Sequence, residues 1–240
     1  EPTGEHHKAS LRLENITLDD NGIHAGSKFM YASSDGTGQT SRTNTEIVQN
    51  TEIVQDAIIS TYNGVGTIIL GKGTTLKNFG GMTAIYDAGA GTIIMENGSL
   101  ICDDTTLFTI STPADGQIRR TEQSLSAIHL CGRGARLDMQ TGSKICDLRN
   151  ASALNIDGTV SKNGEIVING VISGIQNNLG NTPSVRQAIS GEVVLGKDGK
   201  VINNTCTFIG GIYVRQGSTI RIYGEISGNA TTNERGGGLY

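Results

Sequence analysis

Six short segments of the chain share one pattern: an apolar residue, a variable one and a second apolar residue, directly after a turn. They are Thr67-Ile68-Ile69-Leu70, Thr92-Ile93-Ile94-Met95, Arg136-Leu137-Asp138-Met139, Glu165-Ile166-Val167-Ile168, Glu192-Val193-Val194-Leu195 and Thr219-Ile220-Arg221-Ile222. The first apolar position recurs at steps of 25, 44, 29, 27 and 27 residues. Alternation at this length sends every second side chain to one face, the mark of a short strand with one buried side.

Two further ladders keep the same period. After each segment and a turn come Leu76, Ile101, Ile145, Ile172, Ile202 and Ile226; before each come Ile85, Ile128, Leu154, Ile189, Ile212 and Leu239. The ladders stretch at the same places, as they must if each repeat is one coil of three strands stacked on the last. Asn63-Gly64, Asn97-Gly98, Asn163-Gly164, Asn169-Gly170 and Asp198-Gly199 mark turns between strands. The pattern predicts an all-β right-handed parallel β-helix, with coils of about 25 residues and roughly seven to eight coils.

The stretched steps predict loop insertions at 103–126 and 174–187, and Pro113 and Pro183 fall inside them. Proline cannot donate to a strand ladder, so its placement agrees with that register. Residues 1–10 read as a tail and 11–240 as a single domain. Leu11-Arg12-Leu13 and Ile16-Thr17-Leu18 fit an earlier coil, and 22–56 reads as an irregular or helical insertion. Within it, Thr45-Glu46-Ile47-Val48-Gln49-Asn50 is followed by the near copy Thr51-Glu52-Ile53-Val54-Gln55-Asp56. Ile47, Val48, Val54 and Ile58 predict one face of a short helix near 44–59.

Composition narrows the picture. Among 240 residues there is no Trp, with 6 Tyr and 4 Phe, so a narrow core of Ile, Leu and Val is expected. A net charge of −4 gives no general attraction for nucleic acid, and no apolar run reaches the roughly 18 residues of a membrane helix. Neither nucleic-acid binding nor membrane insertion is expected. The chain opens on Glu1 and closes on Gly236-Gly237-Gly238-Leu239-Tyr240, which reads as a fragment cut from a longer protein. Cys102 and Cys146 hold equivalent positions in adjacent coils; because neighbouring parallel side chains point the same way, thiols rather than a disulfide are expected.

Leu13-Glu14-Asn15-Ile16-Thr17-Leu18-Asp19-Asp20-Asn21, Gly224-Glu225-Ile226-Ser227-Gly228-Asn229-Ala230 and Gly236-Gly237-Gly238-Leu239-Tyr240 resemble the repeats of pectate-lyase-like β-helices. More narrowly, they are similar to repeat regions of large cell-surface proteins of Gram-positive gut bacteria. The resemblance covers most of the chain from residue 8 on. It implies a segment of a long, secreted, wall-attached or filament-forming adhesin-like protein. The fold hosts enzymes and adhesins alike, so activity has to be argued from a site.

Three groups of residues could carry chemistry. The neighbours of the third ladder form an outward column, Tyr86, His129, Asn155, Ser190, Tyr213 and Tyr240. Flat rings along a shallow face can stack on sugars or anchor a protein. Tyr86, His129, Asn155 and Tyr213 are therefore candidate binding residues, with Arg119 and Arg120 of the first insertion. The plain alternative is a solvated ladder whose aromatic members favour strands.

One step along that face lie Cys131, Asp157 and Arg215. His129, Cys131 and Asp157 form the candidate catalytic group, a thiol with a base and an orienting carboxylate. Asp103, Asp104 and Asp147 sit at one corner below Asn78, where oxygen ligands could hold Ca²⁺; stacked turn-favouring residues are the stronger explanation. The column Ile69, Ile94, Asp138, Val167, Val194, Arg221 is unusually apolar for an outer face and suits lateral protein contact. No cofactor other than that Ca²⁺ is expected. The sequence thus favours a noncatalytic surface module, adhesin or stalk, whose partners are a host glycan or protein or neighbouring surface-protein domains. A polysaccharide lyase or glycoside hydrolase is the alternative.

Overall fold

The structure is a computed structural model and describes residues 10–19, 39–43, 46–49, 57–61, 66–79, 83–87, 89–103, 126–132, 134–149, 151–156, 165–177, 185–187, 192–214, 217–232 and 236–240. Its first round runs through β1 (Ser10–Leu13), β2 (Thr17–Asp19), β3 (Gln39–Thr43), β4 (Glu46–Gln49) and β5 (Ala57–Thr61). The second holds β6 (Thr67–Leu70), β7 (Thr75–Lys77) and β8 (Thr83–Asp87), and the third β9 (Thr92–Met95), β10 (Leu100–Cys102) and β11 (Ser126–Leu130). Next come β12 (Arg136–Met139), β13 (Lys144–Cys146) and β14 (Ser152–Ile156). The fifth round is β15 (Glu165–Ile168), β16 (Val171–Ser173), β17 (Gln176–Asn177) and β18 (Val185–Gln187). The sixth is β19 (Glu192–Leu195), β20 (Lys200–Ile202), β21 (Thr205–Cys206) and β22 (Ile212–Val214). The last is β23 (Thr219–Ile222), β24 (Glu225–Ser227) and β25 (Ala230–Thr231), with Leu239 bridging to Ile212.

The rounds deal their strands in turn to parallel sheets. One sheet runs β1-β6-β9-β12-β15-β19-β23, a second β2-β7-β10-β13-β16-β20-β24, a third β5-β8-β11-β14-β18-β22 and a small fourth β17-β21-β25. The described residues are all-β with several all-parallel sheets, consistent with a parallel β-helix or another β-solenoid. Like residues stack on like: Leu11, Ile68, Ile93, Leu137, Ile166, Val193 and Ile220 form one register column of the first sheet. From Ile68 to Val193 this column is buried, as are Leu70, Met95, Met139, Ile168 and Leu195 two residues along. Burying such a side chain is worth about 1.5–3 kcal/mol, so the columns carry most of the favourable free energy. Phe79 is the aromatic ring among the largest fully buried side chains, which fits a narrow aliphatic interior.

Two ladder members are corrected by the register. Val201, fully buried, follows Ile172 in the second sheet, while Ile202 lies beside Ser173 and is half-buried. Two adjacent β-branched residues left the alternation ambiguous, and the turn at Asp198-Gly199 sets it. In the third sheet Val185 follows Leu154; Ile189 and Ser190 lie outside the described residues. Arg186, not Ser190, therefore stands between Asn155 and Tyr213 in that column. The range 174–187 holds β17 and β18.

The helix expected near 44–59 is not found at its described residues, 46–49 and 57–59, and 44–45 and 50–56 lie outside the described residues. Glu46–Gln49 is a strand antiparallel to Gln39–Thr43, and Ala57–Thr61 is the first strand of the third sheet. The run Ile47, Val48 suits a strand as readily as a helix face, and β-branched residues tip it that way. The early round at Leu11 and Leu18 is as expected, in register with Ile68 and Leu76.

Connections differ in length by corner. Turns from the first sheet to the second span two to four residues, and those from the third to the first four to eight. Excursions from the second sheet to the third reach 37 residues after β2 and 23 after β10. The two longest departures from regularity thus leave the stack at one corner and return into the third sheet.

Candidate functional site

Those excursions return to strands of the third sheet, and the outward column of that sheet is the predicted ladder. Register places Tyr86, His129, Asn155, Arg186 and Tyr213 in one column, and the Ile212–Leu239 bridge adds Tyr240 beside Tyr213. The structure divides this ladder into two ring groups. Tyr86 meets His129 edge to face at 5.3 Å, in one group. In the other, Tyr213 stacks on Tyr240 at 5.9 Å with planes 26° apart, and Phe208 meets both edge-on at 5.6 and 6.0 Å.

Strand spacing of about 4.8 Å presses rings of adjacent rounds against each other. Their faces are therefore spent partly on one another, and hydroxyl groups and edges are what remain for a ligand. Tyr240, at the end of the column, is 52% exposed. Phe208 was not foreseen, because it lies outside the three strand ladders and joins the group from the stretch after β21.

His129 and Asn155, expected on an open face, are buried at 3% and 5% exposure. Ala84, Ala127 and Ala153, two residues before Tyr86, His129 and Asn155 on the same face, are fully buried too. The three alanines are the sequence signal for a covered face, since a small side chain permits close approach. The middle of this sheet is thus closed to solvent while its Tyr213–Tyr240 end is open.

The candidate catalytic group is partly placed. Cys131 follows β11, two residues beyond His129; its backbone N–H and its Sγ both donate to the Asp87 carbonyl oxygen, at 3.0 and 3.4 Å. Asp157, Arg215, Arg119 and Arg120 lie outside the described residues. Asp87, fully buried at the end of β8, accepts the Gly89 N–H at 3.0 Å on Oδ1 and shapes the turn toward the first sheet.

At the corner proposed for Ca²⁺, the backbone explains the residue types. Asn78, Asp147 and Asn203 take positive φ of 57°, 56° and 56°, and Gly174 and Gly228 follow suit at 68° and 62°. Asn, Asp and Gly are the residues that tolerate this conformation. Asp103 shares the column, yet it is 8% exposed and begins the long excursion after β10. Burial raises its carboxyl to about 6, against hydrogen bonds from the backbone N–H groups of Arg149 and Asn78; the Arg149 bond to Oδ2 is 3.3 Å. Among the described residues no three His, Cys, Asp or Glu side chains gather to hold a metal ion. Asp104 lies outside them.

Cys102 and Cys146 are in-register neighbours on β10 and β13, and both carry thiols. Burial first, then a hydrogen bond to Asp147, pushes the Cys146 thiol up to about 12. On the first sheet the outer column reads Arg12, Ile69, Ile94, Asp138, Val167, Val194, Arg221. Its middle five are half-buried. Arg12 reaches past Ile69 to Glu96 with two bonds of 2.8 Å, and Arg221 pairs with Glu192 at 2.6 Å. Compared with protein-family models, curated proteins and solved structures, the chain matches none.

Proposed function

We propose that the chain is a right-handed parallel β-helix of the pectate-lyase-like kind, serving as a noncatalytic module of a bacterial cell-surface protein. In this reading it is an adhesin or stalk that holds binding loops toward host glycans or proteins. The observation that carries the reading is the shared corner: regular rounds continue along the stack, while the 37- and 23-residue excursions both leave the second sheet and return into the third. A stack of this sort gains stability from its neighbours in the stack, so loops can diversify at one corner without disturbing the core. Loops on a rigid support are where recognition usually sits.

The open Tyr213–Tyr240 group with Phe208 adds an aromatic contact at the β22 end of the third sheet, away from β5 and β11 where the excursions return. The test is a binding screen of the chain against glycans and mucosal host proteins, with polysaccharide cleavage read on the same panel. Saturable binding without cleavage supports the proposal, and Tyr213→Ala should weaken binding if the aromatic end takes part. Cleavage would replace it with the enzyme reading, and would point to His129, Cys131 and Asp157.

A further inference from the structure

We propose that Cys102 and Cys146 form a two-coordinate site for a soft, linear-binding d¹⁰ cation, Cu(I). The site stands apart from the surface-module reading and does not depend on it. Both residues sit on the outer face of the second sheet, because their neighbours Ile101 and Ile145 are fully buried inside. They are in register, with Leu100 opposite Lys144 and Ile101 opposite Ile145 on either side. Each is half-buried, screened from bulk water yet reachable.

The spacing selects the chemistry. Adjacent parallel strands lie about 4.8 Å apart with side chains pointing the same way, whereas a disulfide needs β-carbons at about 3.8 Å. Two metal–sulfur bonds of about 2.3 Å each span the strand spacing with no backbone movement. Thiolates are the ligands that soft cations prefer, and two suffice where a harder ion needs four or more donors. Binding releases both thiol protons, forms two Cu–S bonds and leaves copper as Cu(I), so nothing is oxidised. The complex carries one negative charge. Lys144, two residues before Cys146, and Lys200, two rounds further along its column, are cations on this face. So is Lys77, in register with Cys102 one round earlier and paired with Asp19 at 2.9 Å, while the Asp147 carboxyl accepts a hydrogen bond from the Cys146 thiol.

Anaerobic titration of the reduced chain with Cu(I) supplied as its bicinchoninate complex tests the site. One equivalent should leave the chelator, with affinity tightening about hundredfold per pH unit as two protons are released. Cys102→Ser and Cys146→Ser should each reduce that stoichiometry to none, while Cys131→Ser leaves it at one. Serine is accommodated in this column, as Ser173 holds the next position after Cys146. Full uptake by either single variant would overturn the proposal. Copper K-edge absorption on the wild-type chain guards against misfolded variants: two sulfur neighbours are expected, and three or more donors would overturn it. So would a Cys102–Cys146 disulfide forming readily in the folded chain with diamide, because the sulfurs would then be closer than a bridging ion allows.

Discussion

The Asn203 side-chain oxygen lies where a β-carbon would sit on Gly228, one round further along the stack. Both residues have positive φ, 56° and 62°. The same relation joins Asp147 to Gly174 and Asn15 to Gly73. A side chain that folds over the next round thus dictates glycine there, apart from the backbone's own demand. At these pairs the Asx of one round interlocks with the glycine of the next, whereas Asn78 is followed in the same column by Asp103.

Gly228→Ala should therefore cost more than the about 1–2 kcal/mol that a left-handed backbone alone imposes on alanine. Overlap with Asn203 adds to that cost, giving a loss of about 3 kcal/mol or more in chemical unfolding. Adding Asn203→Gly should recover the overlap part and leave the backbone part. Equal losses in the single and double variants would show that the interlock contributes nothing.

Asn204 makes a second, buried interlock. Its Oδ1 accepts the Ile175 N–H at 3.0 Å, and its Nδ2 donates to Asn229 Oδ1 at 2.9 Å. Asn229 in turn donates to the Val201 carbonyl oxygen at 2.7 Å. Asn204→Leu keeps the volume but strands the Ile175 N–H in an apolar interior. The expected cost is about 2–3 kcal/mol, at the upper end of what unsatisfied buried groups cost. A loss under about 0.5 kcal/mol would mean that the asparagines are passengers in the core.

The parallel stacking was legible because its signal is redundant. Three columns repeat one period, and Leu76, Ile101, Ile145 and Ile172 fall in register as their spacing predicts. What failed did so where one column had two apolar candidates, as at Val201 and Ile202, or where a β-branched run fitted two periodicities, as at Ile47 and Val48. The outer faces were harder to read. Periodicity tells which way His129 points but not what lies over it, and its burial follows from long-range packing that a repeat pattern does not encode. The fourth sheet was missed because its strands are two residues long, below the length at which alternation can be seen.

Arg12 ties the first round to the third. Its guanidinium grips the Glu96 carboxylate with two bonds while Nε holds Glu14 at 2.7 Å. The Arg12 bond holds the Glu96 carboxyl below its usual range. A depressed carboxyl contributes stability above its unfolded value and loses it as pH falls through the folded one. Arg12 is exposed and Glu96 is only half-buried, so the effect should be local and screened by salt. Arg12→Ala should raise amide exchange in Ser10–Leu13 severalfold, with little change in β9 or β12. Exchange that rises equally throughout would instead show that this round folds as one unit with the rest.

Asp103 should act on pH in the opposite sense. Its carboxyl, raised by burial to about 6, is protonated in the folded chain over a range where the unfolded chain has already lost the proton. Between about pH 4 and 6 the folded state therefore binds more protons, and stability falls as pH rises across that window. The drop is at most about 3 kcal/mol. Asp103→Asn keeps an acceptor for the Arg149 N–H and removes the titration, so its melting temperature should exceed wild type at pH 7.5 and match it near pH 4. If the variant melts lower by the same amount at both, the carboxylate is held by its backbone donors rather than opposed by burial. The long excursion after β10 would then begin from a settled anion instead of a strained one.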